Sequence, residues 1–253
     1  MILASGLSDV GCRRGNNEDR IWMDLELSAF ALADGMGGEN CGEVAAEIAV
    51  NTVAAYLRDN PRQENSWPFG YDAGADLISN QVMTAIHAAN RRVFESSRNG
   101  SGCNEMGSTI LAVNVTGKTA TIGAVGDSRA YFYRSGALSL VTSDDSIVAK
   151  LLDAGEITTE EADKHPLRNM LTQAVGKSEK LVPHIHQIQL IDGDRLMLSS
   201  DGLHGVVSHD SMCDILRSSD DVADAVRRLI AEGLKRGAPD NLSCVLIEYL
   251  NDA

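Results

Sequence analysis

Residues 30–38 read FALADGMGG, an unbroken apolar run that stops on one carboxylate, Asp34, and passes at once into a glycine-rich bend. A run with no polar alternation is a strand buried on both faces, so the first charge after it must lie at the edge of a sheet. Gly35, Gly37 and Gly38 let the backbone bend and lie close against something small, and the carbonyl of Gly35 could serve as a ligand beside Asp34. One such stretch is accounted for equally well by an ordinary Asp-Gly turn. The pattern repeats, however: Gly126-Asp127, Asp201-Gly202 and Asp240-Asn241 follow, and the segments before Asp127 and Asp201 are also strand-like.

If Asp34, Asp127, Asp201 and Asp240 converge, their mutual repulsion requires a cation between them, and all-oxygen ligation selects Mg or Mn. The competing reading is four unrelated turn aspartates. Other chemistries lack their residues. The six histidines are scattered, Ser199 and Ser200 lie in no G-x-S-x-G elbow, and GMGG has neither the lysine nor the hydroxyl of a phosphate loop. A formal charge of −14 without a Lys/Arg cluster excludes free nucleic acid and anionic membranes as partners. The five cysteines are odd in number, widely spaced and free of CxxC, so the expectation is separate thiols in a reducing compartment, neither a zinc site nor a disulfide framework. No apolar run approaches a membrane span and no secretion signal opens the chain, which places the protein in the cytoplasm. A length of 253 residues with no evident linker is read as one domain, 1–253.

Along the chain, residues 2–9, 21–25 and 29–33 read as strands, and 11–19 as a polar loop. The spacing predicts helices over 42–57 and 72–97. His87 falls near the second helix's apolar stripe and reads as a satisfied boundary histidine. Residues 109–115, 120–125, 130–133 and 138–141 have strand periodicity with short connections, which predicts an antiparallel meander. Residues 144–180 interrupt it with two short helices, 147–153 and 159–163, and form a candidate flap or lid. Strands at 185–190 and 195–199, a helix at 222–234 and a strand at 243–249 follow. The sum is an α+β chain with an antiparallel core covered by helices.

The ordered motifs SDVGCRRGNNED (8–19), ADGMGG (33–38), GST (107–109), VGDSRAY (125–131), HPLRNMLTQAVG (165–176), SSDGL (199–203) and DNLS (240–243) span nearly the whole chain. In these the chain resembles the metal-dependent Ser/Thr protein phosphatases of the PPM family, the type 2C phosphatases, in their compact bacterial form. The resemblance implies a four-layer αββα sandwich, two stacked antiparallel sheets flanked by helices. It implies that Asp34 bridges two Mn2+ or Mg2+ ions, that the Gly35 carbonyl binds one of them, and that Asp201 and Asp240 bind the other. Glu18 would hold water of the metal pair, with Asp19 and Asn241 in the outer shell. Asp127 would share with Asp201 a weaker third ion, although a purely structural turn explains it too. Arg14 would bind the phosphate, as a planar fork of donors suits, leaving Arg13 a solvated charge.

The implied activity is hydrolysis of phosphoserine and phosphothreonine on proteins by a metal-activated water, opposing a bacterial Ser/Thr kinase and acting on its substrates. Many eukaryotic relatives place a histidine, proposed as general acid, at the position of Met36; here protonation of the leaving group falls to water. Two further positions depart from the bacterial pattern, Glu39 and Asp145 standing where histidines are usual, which should disfavour strongly acidic substrates and alter metal affinity. A phosphopeptide-binding protein without turnover, and a phosphatase of small esters, are the alternatives. Retention of every metal aspartate speaks against the first.

Overall fold

The computed structural model describes residues 1–37, 41–59, 67–99 and 102–251. Eleven strands among them form two antiparallel sheets. One runs β1 (Ile2–Asp9), β11 (Leu242–Tyr249), β10 (Asp194–Ser199), β7 (Arg129–Arg134), β8 (Ala137–Leu140). The other runs β2 (Asp19–Asp24), β3 (Ala29–Met36), β5 (Ile110–Thr116), β6 (Thr119–Val125), β9 (His184–Gln189), with the short β4 (Gly107–Ser108) on the end of β3.

The apolar run before Asp34 shows why the sheets stack. Side chains alternate along β3, so Phe30 and Leu32 enter the space between the sheets, against Leu111, Ile122, Leu198 and Val245. Ala31 and Ala33 face the other way, onto Ala45, Ala49 and Val53 of α1 (Cys41–Asp59). These residues are fully excluded from solvent or nearly so, and each large side chain among them contributes about 1.5–3 kcal/mol. Alanines on both surfaces bring α1 close to the sheet. Beside it lies α2 (Leu77–Arg98), through Ile86 and Val93. The outer face of the other sheet is covered by α5 (Asp201–His204), α6 (His209–Ser218) and α7 (Val222–Lys235), where Val226 and Leu229 pack with Met197 and Leu246. The result is the four-layer αββα sandwich.

Four expectations are corrected. The meander does not run on as one sheet: β5 pairs β6 and β7 pairs β8, but β6 continues to β9 while β7 pairs β10. The chain changes sheets at residues 126–128, where Gly126 takes φ +98° and a Cβ would stand 2.7 Å from Thr109 Cγ2. Second, α2 begins at Leu77 and not at 72, because Asp72 accepts from the Gly74 N–H and Asp76 caps the helix by accepting from the Ser79 N–H at 2.7 Å. Third, α6 was not anticipated, although Ser208 caps it and Met212 and Leu216 bury its apolar edge. Fourth, Cys41 and Cys103 are joined in a disulfide, with Cα atoms 5.3 Å apart; sixty-two positions separate them in sequence, but the first turn of α1 and the approach to β4 meet on β3. Cys12, Cys213 and Cys244 are free.

The substitution at Glu39, the glycine at Gly38 and the loop at 60–66 lie outside the described residues. The short helices α3 (Ile147–Asp153) and α4 (Thr159–Asp163) form as the spacing predicts, α4 with a full Thr158–Glu161 capping box. His87 is half-buried and stacked on Phe69, away from the aspartates. Among the described residues no helix is long and apolar enough to cross a membrane.

Candidate metal centre

The two sheets end together at one edge, and the residues singled out by sequence meet there. A cleft of about 870 Å3 is lined by Arg14, Glu18, Asp34, Asp127, Asp201 and Asp240. They come from five places in the chain, each beside the end of a strand. Asp34 is near the end of β3 and Asp127 sits where the chain crosses between sheets. Asp201 opens α5 directly after β10, Asp240 precedes β11, and Arg14 and Glu18 come from the loop after β1.

Asn241 fixes that loop. Its Nδ2 donates to the carbonyls of Val10 and Asn16 at 2.9 Å each, and its Oδ1 accepts from the Glu18 N–H at 2.8 Å. The Gly35 N–H donates to the Glu18 carbonyl at 3.2 Å. A Cβ on Gly35 would fall 1.9 Å from the carbonyl oxygen of Gly42, so only glycine lets β3 pass this close to α1. Thr109 holds Asp34 from behind, its Oγ1 accepting from the Asp34 N–H at 2.9 Å and its N–H donating to the Asp34 carbonyl at 2.8 Å.

Asp19 stands opposite Asp34 in the β2–β3 register and is 2% exposed. Its Oδ2 accepts from Ser200 Oγ at 2.7 Å, while its Oδ1 is buried with no hydrogen-bond partner among the described residues. Arg14 donates from Nη2 to Asp240 Oδ2 at 2.7 Å on the open side of the cleft. Arg13 is exposed and does not line it.

The electrostatics follow from burial. Desolvation, then the charges of Asp19, Asp201 and Asp127, hold the Asp34 carboxyl well above the usual range. Burial, then Asp201 and Asp144, pushes Asp127 up to about 7. Asp19 is raised to about 6, chiefly by burial, and Asp201 and Glu18 are raised for the same first reason. Among the described residues, no three carboxylate, imidazole or thiol side chains already close on one point as a finished chelate. The acidic oxygens instead ring the floor of the cleft. Such a set suits hard divalent cations: every donor is oxygen, one buried carboxylate oxygen lacks a partner, and the group resists its own charge.

The opposite wall is formed by residues 166–174, with Leu167 and Met170 exposed. Ser108 exchanges backbone hydrogen bonds with Val175 at 3.0 and 2.8 Å, which ties this wall to the strand pair holding Gly35 and Met36. Thr109 and Ser200, which hold Asp34 and Asp19, are site residues that spacing alone does not single out. Position in GST and SSDGL was the available signal.

The family model for protein phosphatase 2C matches residues 16–251. The serine/threonine protein phosphatase PstP of Mycobacterium tuberculosis is 34% identical over 244 residues, 96% of this chain, which spans only 44% of that relative's length. A putative protein phosphatase 2C-type of Streptococcus pyogenes is 31% identical, with 95% of this chain and 94% of that one covered. The crystal structure of the PstP catalytic domain in complex with two manganese ions superposes with TM-score 0.84 at 31% identity, covering 99% of both chains. The fold and these likenesses place the acidic cleft at the end of a protein phosphatase 2C sandwich. The chain belongs to the protein phosphatase 2C (PPM) family, in its compact bacterial form.

Proposed function

We propose that this protein is a metal-dependent protein phosphatase that removes phosphate from phosphoserine and phosphothreonine. The observation that supports it best is the convergence of Asp34, Asp127, Asp201 and Asp240 with Arg14 on one cleft. Asp34 and the Gly35 carbonyl, with Asp201 and Asp240, would hold two ions, Mn2+ or Mg2+, and Asp127 with Asp201 would hold a weaker third. When bound, such ions supply Lewis-acid charge and lower the pKa of water toward neutrality. Glu18 and Asp19 orient the water of the site, and Asn241 holds the Glu18 backbone in place. Arg14 leaves Asp240 for the phosphoryl oxygens, which its fork matches in charge and spacing. Met36 offers no proton, so the leaving oxygen is protonated by water.

We take residues 1–253 as one domain with 144–180 as its flap, Leu167 and Met170 facing the polypeptide that bears the phosphate. The partners are phosphorylated proteins and the kinase that makes them, in the bacterial cytoplasm. The deciding experiment compares a phosphothreonine peptide, a phosphotyrosine peptide and a sugar phosphate at equal concentration, with Mn2+ and with EDTA. Preference for the phosphothreonine peptide is expected. Preference for the sugar phosphate would overturn the substrate class, and peptide binding without turnover would overturn the enzyme.

A further inference from the structure

Asp145 is 8% exposed and does not line the cleft, yet its hydrogen bonds join three separate parts of the fold. Its N–H donates to the Gly126 carbonyl at 2.8 Å, and its Oδ2 accepts from the Gly126 N–H at 3.0 Å. Both backbone groups of the residue before Asp127 are thus held by one partner. The same Oδ2 accepts from Gln173 Nε2 at 3.1 Å, and the Asp145 carbonyl accepts from the Thr172 N–H at 2.7 Å. Oδ1 pairs with His184 Nε2 on β9 at 2.9 Å. Gln173 is itself held, its Nε2 donating to the Val182 carbonyl at 2.9 Å and its Oε1 accepting from the Val182 N–H at 2.7 Å.

The geometry of the turn leaves it dependent on this clamp. Gly126 has φ +98° and begins the crossing between sheets, where no ladder hydrogen bonds hold it. A histidine at position 145 would present at most one ring acceptor and could not serve Gly126 and Gln173 together while meeting His184. A carboxylate has lone pairs for all three. A neutral amide of the same shape keeps most of this, its oxygen accepting from Gly126 and Gln173 and its NH2 donating to neutral His184.

We propose that Asp145 is a positioning residue that locks the Asp127 turn to the cleft wall at Thr172 and Gln173. Binding of an ion at Asp127 and Asp201 and engagement of a phosphopeptide against that wall then depend on the same side chain. The inference rests on the reading of Asp127 and Asp201 as a third-ion site.

The test compares the parent, Asp145→Ala, Asp145→Asn and Asp127→Ala. Mn2+ binding is followed through the resonance signal of the free ion, with thermal unfolding and turnover of a phosphothreonine peptide and an aryl phosphate measured alongside. Asp145→Ala is expected to keep two tight ions and bind the third about ten-fold to a hundred-fold more weakly, as loss of a ligand's support does elsewhere. Its peptide KM rises, and excess Mn2+ restores kcat. Asp145→Asn stays within about three-fold of the parent, since most of the hydrogen bonds survive. A merely structural role would instead lower both rates together with the unfolding temperature, leaving ion affinity unchanged. If Asp145→Ala does not fold, Gln173→Leu cuts the link to the wall alone, and an unchanged peptide KM there overturns the proposal. If Asp127→Ala loses the third ion while Asp145→Ala binds ion and peptide as the parent does, the proposal fails and the third-ion reading stands. If Asp127→Ala still binds three ions, the third-ion reading itself falls and takes the proposal with it.

Discussion

Arg14 Nη2 rests 2.7 Å from Asp240 Oδ2, with about half of the arginine side chain still open to solvent. The guanidinium therefore neutralises a proposed metal ligand from the side on which a phosphate would arrive. A cation on Asp240 and a phosphoryl group on Arg14 would each weaken this contact, so metal loading and substrate binding favour the same rearrangement. Surface pairing of this kind contributes little to stability, which leaves the arginine free to move.

Replacing Arg14 by alanine is expected to lower kcat/KM on a phosphothreonine peptide by about ten-fold to a thousand-fold, or about 1.4–4 kcal/mol of transition-state stabilisation. Arg13→Ala should change it by less than about two-fold, as a solvated charge outside the cleft would. Steady-state kinetics of both variants check the assignment, and a larger effect at Arg13 would show that the wrong arginine was chosen.

Metal should stabilise the fold as well as activate it. Mn2+ at a hundred times its dissociation constant adds about 2.7 kcal/mol per site to the free energy of unfolding, so the melting temperature should rise with Mn2+ and fall back with EDTA, together with turnover. Asp34→Asn removes a half-buried carboxylate whose charge desolvation and three neighbouring acids disfavour. The variant is expected to lose nearly all turnover and much of the response to Mn2+, yet to melt above the parent when both are metal-free. A metal-free variant melting well below the parent would contradict that account.

His204 gives a pH dependence separate from the carboxylates. It is half-buried, with Nδ1 2.9 Å from Ser199 Oγ, and desolvation of the ring holds its pKa well below the ordinary 6.5. Above that value neither the folded nor the unfolded imidazole is charged and nothing is lost. As pH falls below 6.5 the unfolded chain takes up the proton first, so stability drops by at most about 1.4 kcal/mol per pH unit. Urea midpoints of parent and His204→Leu, compared between pH 8 and 5, should converge toward acid. Parallel curves would mean that His204 takes up its proton as readily in the fold as in the unfolded chain.

The Cys41–Cys103 bond closes a long loop around α1 and α2. Chain-entropy reasoning gives such a link about 4 kcal/mol at most, with about 2–4 typical. Thiol titration of the unfolded chain should find the three free cysteines before reduction and all five after it. Dithiothreitol should lower the melting temperature of the parent and leave a Cys41→Ser, Cys103→Ser double variant unchanged. Five thiols without reductant would remove the bond from the account.

The legible parts of this fold were those in which local chemistry and global packing agree. The run FALAD gave both its strand and its carboxylate because nothing else can follow two-sided burial, and α4 announced itself through Thr158 and Glu161. The change of sheet at Gly126 was not legible, since a short glycine turn reads the same whether the next strand pairs with the last or leaves it. The disulfide was hidden because cysteines sixty-two positions apart carry no local sign of meeting. Of the site, the aspartates were visible at their strand ends. Their supports, Thr109 behind Asp34 and Asp145 behind Asp127, depend on tertiary contacts that spacing does not encode.

The pairing of β1 with β11 sets when the acidic cleft can be completed. Ile2 lies opposite Tyr249 and Asp9 opposite Leu242, so β1 waits for β11 before it has a neighbour on that side. Asn241 must arrive to pin the loop that holds Arg14 and Glu18, and Asp240 arrives only one residue earlier. A chain still emerging from the ribosome therefore has its six-stranded sheet within reach but an open cleft, with pairings of such long sequence separation among the slowest to form. The acidic cleft is complete only once residue 241 has emerged and its side chain has pinned that loop.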